Sequence, residues 1–248
     1  MANYENQPRT GATVGRSAVG EIDEGLRAHM LRVYNYMTIG LALTGAVAWT
    51  VVNTSLAGLF FQVSGPTAGL TALGWVAFIA PLGLVFWMSF GIHRMSVGTA
   101  QAVFWGYAGL MGVALSPILL IYTGASIAKV FFISAAAFGG LSVWGYTTTR
   151  DLTGWGSFLF MGLIGIIVAM VVNIFLASPA IDFAISVIGV LVFAGLTAYD
   201  TQKIKEMYYV GDDGTVAGRK AIMGALRLYL DFINLFLMLL RLFGNNRG

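Results

Sequence analysis

Residues 224–243 read GALRLYLDFINLFLMLLRLF, a stretch that is apolar enough to enter a membrane yet carries Arg227, Asp231, Asn234 and Arg241. On a helix that turns about 100° per residue, these four residues fall within an arc of about 80°. An ionised carboxylate in the middle of a bilayer is costly, so residues of this kind usually face a protein interior or a water-filled cavity. The stretch therefore predicts a helix enclosed by other helices, with one polar side.

A purely structural explanation exists for two of these residues. Arg227 and Asp231 are spaced i, i+4 and could pair along the helix. Arg241 could extend its charged end to the membrane interface. We interpret the two arginines in this way. We assign a function to Asp231, because the cost of burying a carboxylate near the middle of the stretch is the hardest to explain otherwise.

The composition is that of a membrane protein. The chain has 248 residues, of which 58% are hydrophobic and only 10% are charged. Soluble proteins carry about 25% charged residues. The length accommodates one membrane domain and leaves no room for a second, soluble domain.

The chain offers few groups for catalysis. It has no cysteine, which excludes disulfides, a thiol nucleophile and a Cys-ligated metal site. It has two histidines, His29 and His93, fewer ligands than a zinc hydrolase needs. The last apolar stretch carries no lysine that could form a retinal Schiff base. We therefore predict that the protein is not an enzyme and needs no organic cofactor.

Seven apolar stretches are long enough to cross a bilayer, which takes about 20 helical residues. They are residues 33–53, 72–91, 99–122, 127–147, 155–176, 181–203 and 224–243. The first stretch is longer than the core of a signal peptide, so no cleaved signal is expected. The sequence thus predicts an all-α integral membrane protein, with a cytoplasmic N-terminal tail at 1–32 and a seven-helix membrane domain at 33–248. Residues 54–71 and 204–220 form the two longer connections.

The basic residues indicate how the chain is oriented. With the N-terminus inside, the outer side holds only Lys129, Arg241 and Arg247. The inner side collects Arg9, Arg16, Arg27, Arg32, Arg94, Arg150, Lys203, Lys205, Arg219 and Lys220. Because inner loops of membrane proteins are enriched in Lys and Arg, this predicts a cytoplasmic N-terminus and, after seven spans, an outer C-terminus. These residues mark orientation, and nucleic acid is not an expected partner.

Asn3→Cys and Gly248→Cys are expected to react oppositely with a membrane-impermeant thiol reagent in intact cells, because the two positions should lie on opposite sides. The parent chain has no cysteine and is the control. Equal labelling at both positions would contradict an odd number of spans.

A second carboxylate lies near the inner end of the sixth stretch, which ends AGLTAYDTQKIK with Asp200. Asp200 could be an ordinary helix-end residue paired with Lys203 or Lys205. However, the sixth and seventh stretches are antiparallel neighbours, so Asp200 and Asp231 could meet. Two carboxylates in a poorly solvated site cannot both ionise cheaply and tend to share one proton. Such a pair is a candidate pH sensor, and its hard oxygen atoms could also attract Ca²⁺.

The sequence resembles the Bax inhibitor-1 family in its bacterial branch. The resemblance rests on AYDTQKIK at residues 198–205 and LYLDFINLFLMLLRLFG at residues 228–244. It includes ALSPI at residues 114–118 and GYTTTRDLTGWG at residues 145–156. It implies six helices, as two layers of three, wrapped around a central seventh helix. It also implies a pH-sensitive calcium leak whose proton sensor is a hydrogen-bonded aspartate pair, which corresponds to Asp200 and Asp231.

The chain departs from the family pattern in the second span. A bacterial type of the family has an arginine after Phe-Trp-Met that helps to latch the aspartates. Here Phe86-Trp87-Met88 is followed by Ser89, and the next basic residues are His93 and Arg94. An acidic residue that the family has earlier in this span is also missing. We therefore expect a different latch, with supporting polar contacts drawn from Arg227, Asn234, Ser89, His93 and Arg94.

Two functions follow as expectations. The first is a pH-sensitive calcium leak channel, gated by Asp200 and Asp231, with Ca²⁺ as the permeant or bound ion. The alternative is a non-conducting regulator that binds a membrane protease or another membrane protein. A secondary transporter would show inverted repeats or broken helices, and the chain has no convincing internal repeat. The expected location is a bacterial inner membrane.

Overall fold

Seven long helices make up the membrane domain. The computed structural model describes the backbone of residues 11–64 and 67–247, and the side chains of residues 24–62 and 69–247. The long helices are α1 (Gly11–Asn53), α3 (Ala72–Gly91), α4 (Val97–Leu115), α6 (Gly124–Thr147), α7 (Thr153–Leu176), α8 (Pro179–Glu206) and α9 (Gly214–Phe243). Each is long and apolar enough to cross a membrane. The prediction of an all-α protein with seven transmembrane helices is confirmed.

Short elements lie in the connections. Between α1 and α3 lie a single turn, α2 (Ala57–Phe60), and two strands, β1 (Phe61–Ser64) and β2 (Thr67–Leu70). The strands are antiparallel, with Phe61 opposite Leu70. A 3₁₀ turn (Ile92–Arg94) follows α3, and α5 (Ile118–Ile121) follows α4. The hairpin was not predicted, because residues 54–71 were assigned only as a longer connection between two spans.

Two helices begin earlier than the sequence suggested. Helix α1 begins at Gly11, so the predicted boundary between residues 32 and 33 lies inside it, and His29 and Met30 are already buried. Helix α9 begins at Gly214 and not at residue 224, because the Asp213 side chain caps it by accepting a hydrogen bond from the amide of Val216 at 2.7 Å. Asn3 and Gly248, where the topology would be tested, lie outside the described residues.

Helix α9 is the centre of the bundle. Helices α1, α3 and α4 pack together as one group, and α6, α7 and α8 as another. Helix α9 packs against α1 and α4 of the first group and against α6 and α8 of the second. In its membrane-crossing window 72% of the residues are buried, compared with 11–33% in the other six helices. The prediction that six helices enclose the C-terminal helix is therefore confirmed.

Two glycines allow close contacts between helices. A Cβ atom on Gly112 of α4 would lie 2.7 Å from the carbonyl oxygen of Thr44 on α1. A Cβ atom on Gly145 of α6 would lie 2.9 Å from Cα of Ala198 on α8 and closer still to its carbonyl oxygen. Gly140, also on α6, has open space at that position. Small residues thus bring α1 to α4 and α6 to α8, which is how membrane helices commonly approach each other.

Candidate functional site

Asp231 lies in the centre of the bundle beside Asp200. The Asp231 side chain is on α9 and only 4% exposed, and its Oδ2 atom has no hydrogen-bond partner among the described residues. Asp200 lies in the last two turns of α8, the helix that packs along α9, and its carboxyl group is a close neighbour of that of Asp231. When both are ionised neither can donate. One shared proton would supply the hydrogen bond that joins them.

The guanidinium group that faces this pair comes from α9 itself. Nη1 of Arg227 lies 3.9 Å from Oδ1 of Asp200, which is an ion pair without a hydrogen bond. The spacing in sequence favoured a pair between Arg227 and Asp231 on the same helix, and the structure pairs Arg227 with the neighbouring helix. A positive charge therefore lies beside the aspartates although Phe86-Trp87-Met88 is followed by Ser89 and not by an arginine.

The other predicted supporting residues divide into three groups. Ser89 and His93 line a cavity of about 290 Å³ together with Arg227. Arg94 is exposed and lies in a separate groove beside Phe86, Trp87 and Phe90. The Asn234 amide donates to the Leu230 carbonyl oxygen of its own helix at 2.8 Å. The first group is thus connected to the aspartate pair through Arg227, whereas Arg94 lies in another groove and Asn234 bonds within its own helix.

Arg241 and Asp182 form an ion pair at the other end of the bundle. Nη1 of Arg241 on α9 lies 3.4 Å from Oδ1 of Asp182 on α8. Arg241 was expected to extend to the interface, and it and Asp182 are both partly exposed. An exposed pair of this kind contributes little to stability.

Hydroxyl groups fasten α8 to α6 next to Asp200. Thr201 donates to the carbonyl oxygen of Thr197 at 2.7 Å, and its Oγ1 lies 3.2 Å from Oγ of Ser142 on α6. Because the Thr201 proton is already used, Ser142 is the donor of the second bond. All three side chains are buried. The position of Asp200 on α8 is therefore fixed relative to α6.

Gln202 joins two of the segments that carried the family resemblance. Its Oε1 accepts from the amide of Leu152 at 2.8 Å, and its Nε2 donates to the carbonyl oxygen of Arg150 at 2.8 Å. The connection between α6 and α7 is thereby held against the end of α8. This contact could not be predicted from the sequence, because a single Gln at a helix end is ordinary.

A second set of buried polar contacts holds α9 just before Asp231. The Tyr229 hydroxyl lies 2.7 Å from Oγ1 of Thr44, which lies 2.9 Å from the carbonyl oxygens of both Gly40 and Ala108. Thr44 has one hydroxyl proton to give to a carbonyl, so Tyr229 donates to Thr44. These contacts tie α9 to α1 and α4 one turn or less from Asp231.

The aspartate pair lies between two cavities along α9. Arg227 lines the cavity towards the end where α9 begins. Phe232, Ile233 and Phe236 line a second cavity of about 240 Å³, which is largely apolar. We call the first the basic cavity, after its charged lining residues Arg219, Lys220 and Arg227, and the second the apolar cavity. Because residues of α9 line both cavities, movement of α9 at Asp231 would change the shape of both.

As a metal site the pair is incomplete. Ca²⁺ takes about six to eight oxygen ligands, whereas two carboxylates supply at most four. The described residues hold no group of three or more His, Asp or Glu that could bind a metal ion. A Ca²⁺ ion at Asp200 and Asp231 would thus keep much of its water. The site is chemically suited to a proton and, at most, to a passing cation.

Comparison with known proteins gives consistent matches. Residues 26–248 match the family model described as "Inhibitor of apoptosis-promoting Bax1". Uncharacterized protein RP147 of Rickettsia prowazekii is 51% identical over 226 residues, which cover 91% of this chain and 92% of that protein. Inner membrane protein YbhL of Escherichia coli K12 is 48% identical over 226 residues, covering 90% of this chain and 94% of YbhL. An uncharacterized protein of Caulobacter vibrioides is 49% identical over 229 residues, which cover 91% of this chain and 92% of that protein.

Proposed function

The chain belongs to the Bax inhibitor-1 family, and from this premise we propose that it is a pH-sensitive calcium leak channel of a bacterial inner membrane. The observation that carries the proposal is the pair of adjacent carboxyl groups, one of them wholly enclosed on the central helix. The proposed location follows its similarity to YbhL, which is named as an inner membrane protein.

Loss of the shared proton would create two adjacent negative charges, of which Arg227 balances one. The carboxylates would then have to separate, gain a cation or draw in water. Because Asp231 lies on the helix that packs against both groups of three, its displacement would change the packing between them. A proton would thus bias a two-state arrangement of the bundle.

The apolar cavity supplies the second part of the proposed gate. It is lined mainly by apolar side chains, including Leu41, Phe131 and Phe232. Narrow apolar passages exclude ions by remaining dry. Entry of water at the charged pair, one residue away from Phe232, would wet this passage and allow a hydrated cation to cross.

The alternative is a non-conducting regulator that binds another membrane protein, for example a membrane protease. It is favoured by the basic cavity, because three cationic side chains at one end of α9 oppose the approach of Ca²⁺. A regulator needs the fold and the pair as a conformational switch but no ion pathway.

Calcium flux into liposomes that contain only the purified protein separates the two functions. With an enclosed Ca²⁺ indicator, we expect flux above that of protein-free liposomes, and we expect the rate to change between about pH 6 and 8. Flux no greater than in protein-free liposomes at every pH in this range would contradict the channel and leave the regulator.

A further inference from the structure

The basic cavity carries an excess of positive charge. It lies where α3, the end of α8 and the start of α9 meet, and it has a volume of about 290 Å³. Its polar lining consists of Ser89, His93, Arg219, Lys220 and Arg227, and no Asp or Glu is among the described residues that line it. This volume would hold roughly ten water molecules, at about 30 Å³ each. A cavity of this size and charge is suited to a hydrated polyatomic anion.

The three cationic side chains differ in how far their positive charges are already paired. Nζ of Lys220 lies 2.5 Å from Oδ2 of Asp212, so that charge is already paired. Arg219 donates through Nη1 to the His93 carbonyl oxygen and through Nε to that of Thr215. These bonds are to neutral groups, and they use two of the five N–H donors of Arg219. Its charge is therefore not compensated by these contacts.

Arg227 is the more available of the two arginines. Its side chain is 43% exposed, and its ion pair with Asp200, at 3.9 Å, is too long for a hydrogen bond. A guanidinium group binds a phosphate oxygen pair through two parallel N–H bonds, which are shorter and stronger than this contact. An anion in the cavity would therefore compete well for Arg227.

We propose that the basic cavity binds a phosphate group, held by Arg219 and Arg227 with the Ser89 hydroxyl as a further donor. The phosphate belongs either to a soluble phosphate ester or to the headgroup of an anionic phospholipid, since the cavity lies at one end of membrane-crossing helices. Bound phosphate draws Arg227 away from Asp200. The site thus connects an anion on one side of the membrane to the buried carboxyl pair.

The connection is reciprocal. If phosphate removes Arg227 from Asp200, then loss of the Asp200 charge must release Arg227 and strengthen phosphate binding. The effect on binding is independent of ion conduction. The further expectation that phosphate shifts the pH at which flux changes rests on the proposed function, because it requires the pair to be the gate.

Phosphate binding is tested on the purified full-length chain in detergent. Inorganic phosphate is titrated against chloride at constant ionic strength and pH, with the melting temperature and calorimetry as readouts. We expect a saturable rise in melting temperature with phosphate. Arg219→Gln and Arg227→Gln should each weaken the affinity about tenfold or more, since each removes a charge-assisted bond. Arg94→Gln is the matched control, because Arg94 is exposed in a separate groove.

Asp200→Asn gives an independent readout, because it should bind phosphate more tightly than the parent. Nanodiscs of phosphatidylcholine with and without phosphatidylglycerol identify the source of the phosphate. Stabilisation by phosphatidylglycerol that requires Arg219 and Arg227 assigns the site to a lipid headgroup, and saturable binding of inorganic phosphate without a response to phosphatidylglycerol assigns it to a soluble ester. Should Arg227→Gln fail to melt cooperatively in chloride, Arg227→Lys replaces it, keeping the charge without the paired donors.

The proposal is overturned if neither phosphate source stabilises the protein beyond chloride. It is also overturned if both arginine variants bind phosphate as the parent does. Failure of the proposed channel would look different, with phosphate binding intact and liposomes that do not conduct.

Discussion

Asp200→Asn and Asp231→Asn are each expected to abolish the pH dependence of calcium flux in liposomes between about pH 6 and 8. Asn keeps the shape of the side chain and can form one hydrogen bond, but it cannot titrate. Whatever its absolute rate, flux through either variant should therefore be the same across this range. The measurement is initial rates with the inner and outer pH varied together.

Asp182→Asn is the matched control for these two variants. Asp182 is also on α8, but it lies at the opposite end of the helix, where its side chain is 53% exposed. Its removal should leave the pH profile unchanged. If calcium flux through both Asp200→Asn and Asp231→Asn depends on pH as it does in the parent, the proton sensor lies elsewhere. His93, in the basic cavity, is then the first residue to replace.

Gly145→Ala is expected to lower the free energy of unfolding by about 1–3 kcal/mol or more, the range found when a group is forced into a packed interior. The added methyl group would meet the backbone of Ala198, which is part of α8 and cannot rotate away as a side chain can. Helices α6 and α8 must separate to accept it. Because Asp200 follows Ala198 closely on α8, the carboxyl pair should be disturbed as well.

Gly140→Ala provides the control on the same helix. A Cβ atom there meets open space, and Ala is about 1 kcal/mol more favourable than Gly in a helix. Stability should therefore be unchanged or slightly raised. Thermal unfolding in one detergent measures both variants. Equal stability of the two would mean that the contact between α6 and α8 is looser than the structure has it.

The fold was predictable from the lengths of the apolar stretches and from the polar stripe on the last of them. Runs of about 20 apolar residues define the spans because a bilayer has a fixed thickness. The stripe on residues 224–243 identified the enclosed helix, because lipid does not tolerate a carboxylate. The start of α9 was missed because residues 211–214, GDDG, are typical of a turn. In the structure Asp213 from this turn caps the helix, which then continues without a break.

The site was predictable only in part. Asp231 could be identified from its place within an apolar stretch, and its partnership with Asp200 was implied by the family resemblance. The partner of Arg227 was not predictable, because it depends on how far α8 is shifted along α9. The basic cavity combines α3 with the first turns of α9, which the sequence assigned to a connection. Arg219 and the His93 carbonyl oxygen that it bonds there are 126 positions apart in the chain.

The central position of α9 affects how the protein is made. Helix α9 follows in the chain all six helices that enclose it. At synthesis rates of about 5–20 residues per second, its 30 residues leave the ribosome some seconds after α8. During that interval the earlier helices are in the bilayer, with lipid or the insertion machinery in the place of α9. Because Asp231 is synthesised after the six enclosing helices, those helices are already available to shield its carboxyl group from lipid. A ribosome that stalls before residue 214 would release two half-bundles without a core, a substrate for membrane quality control.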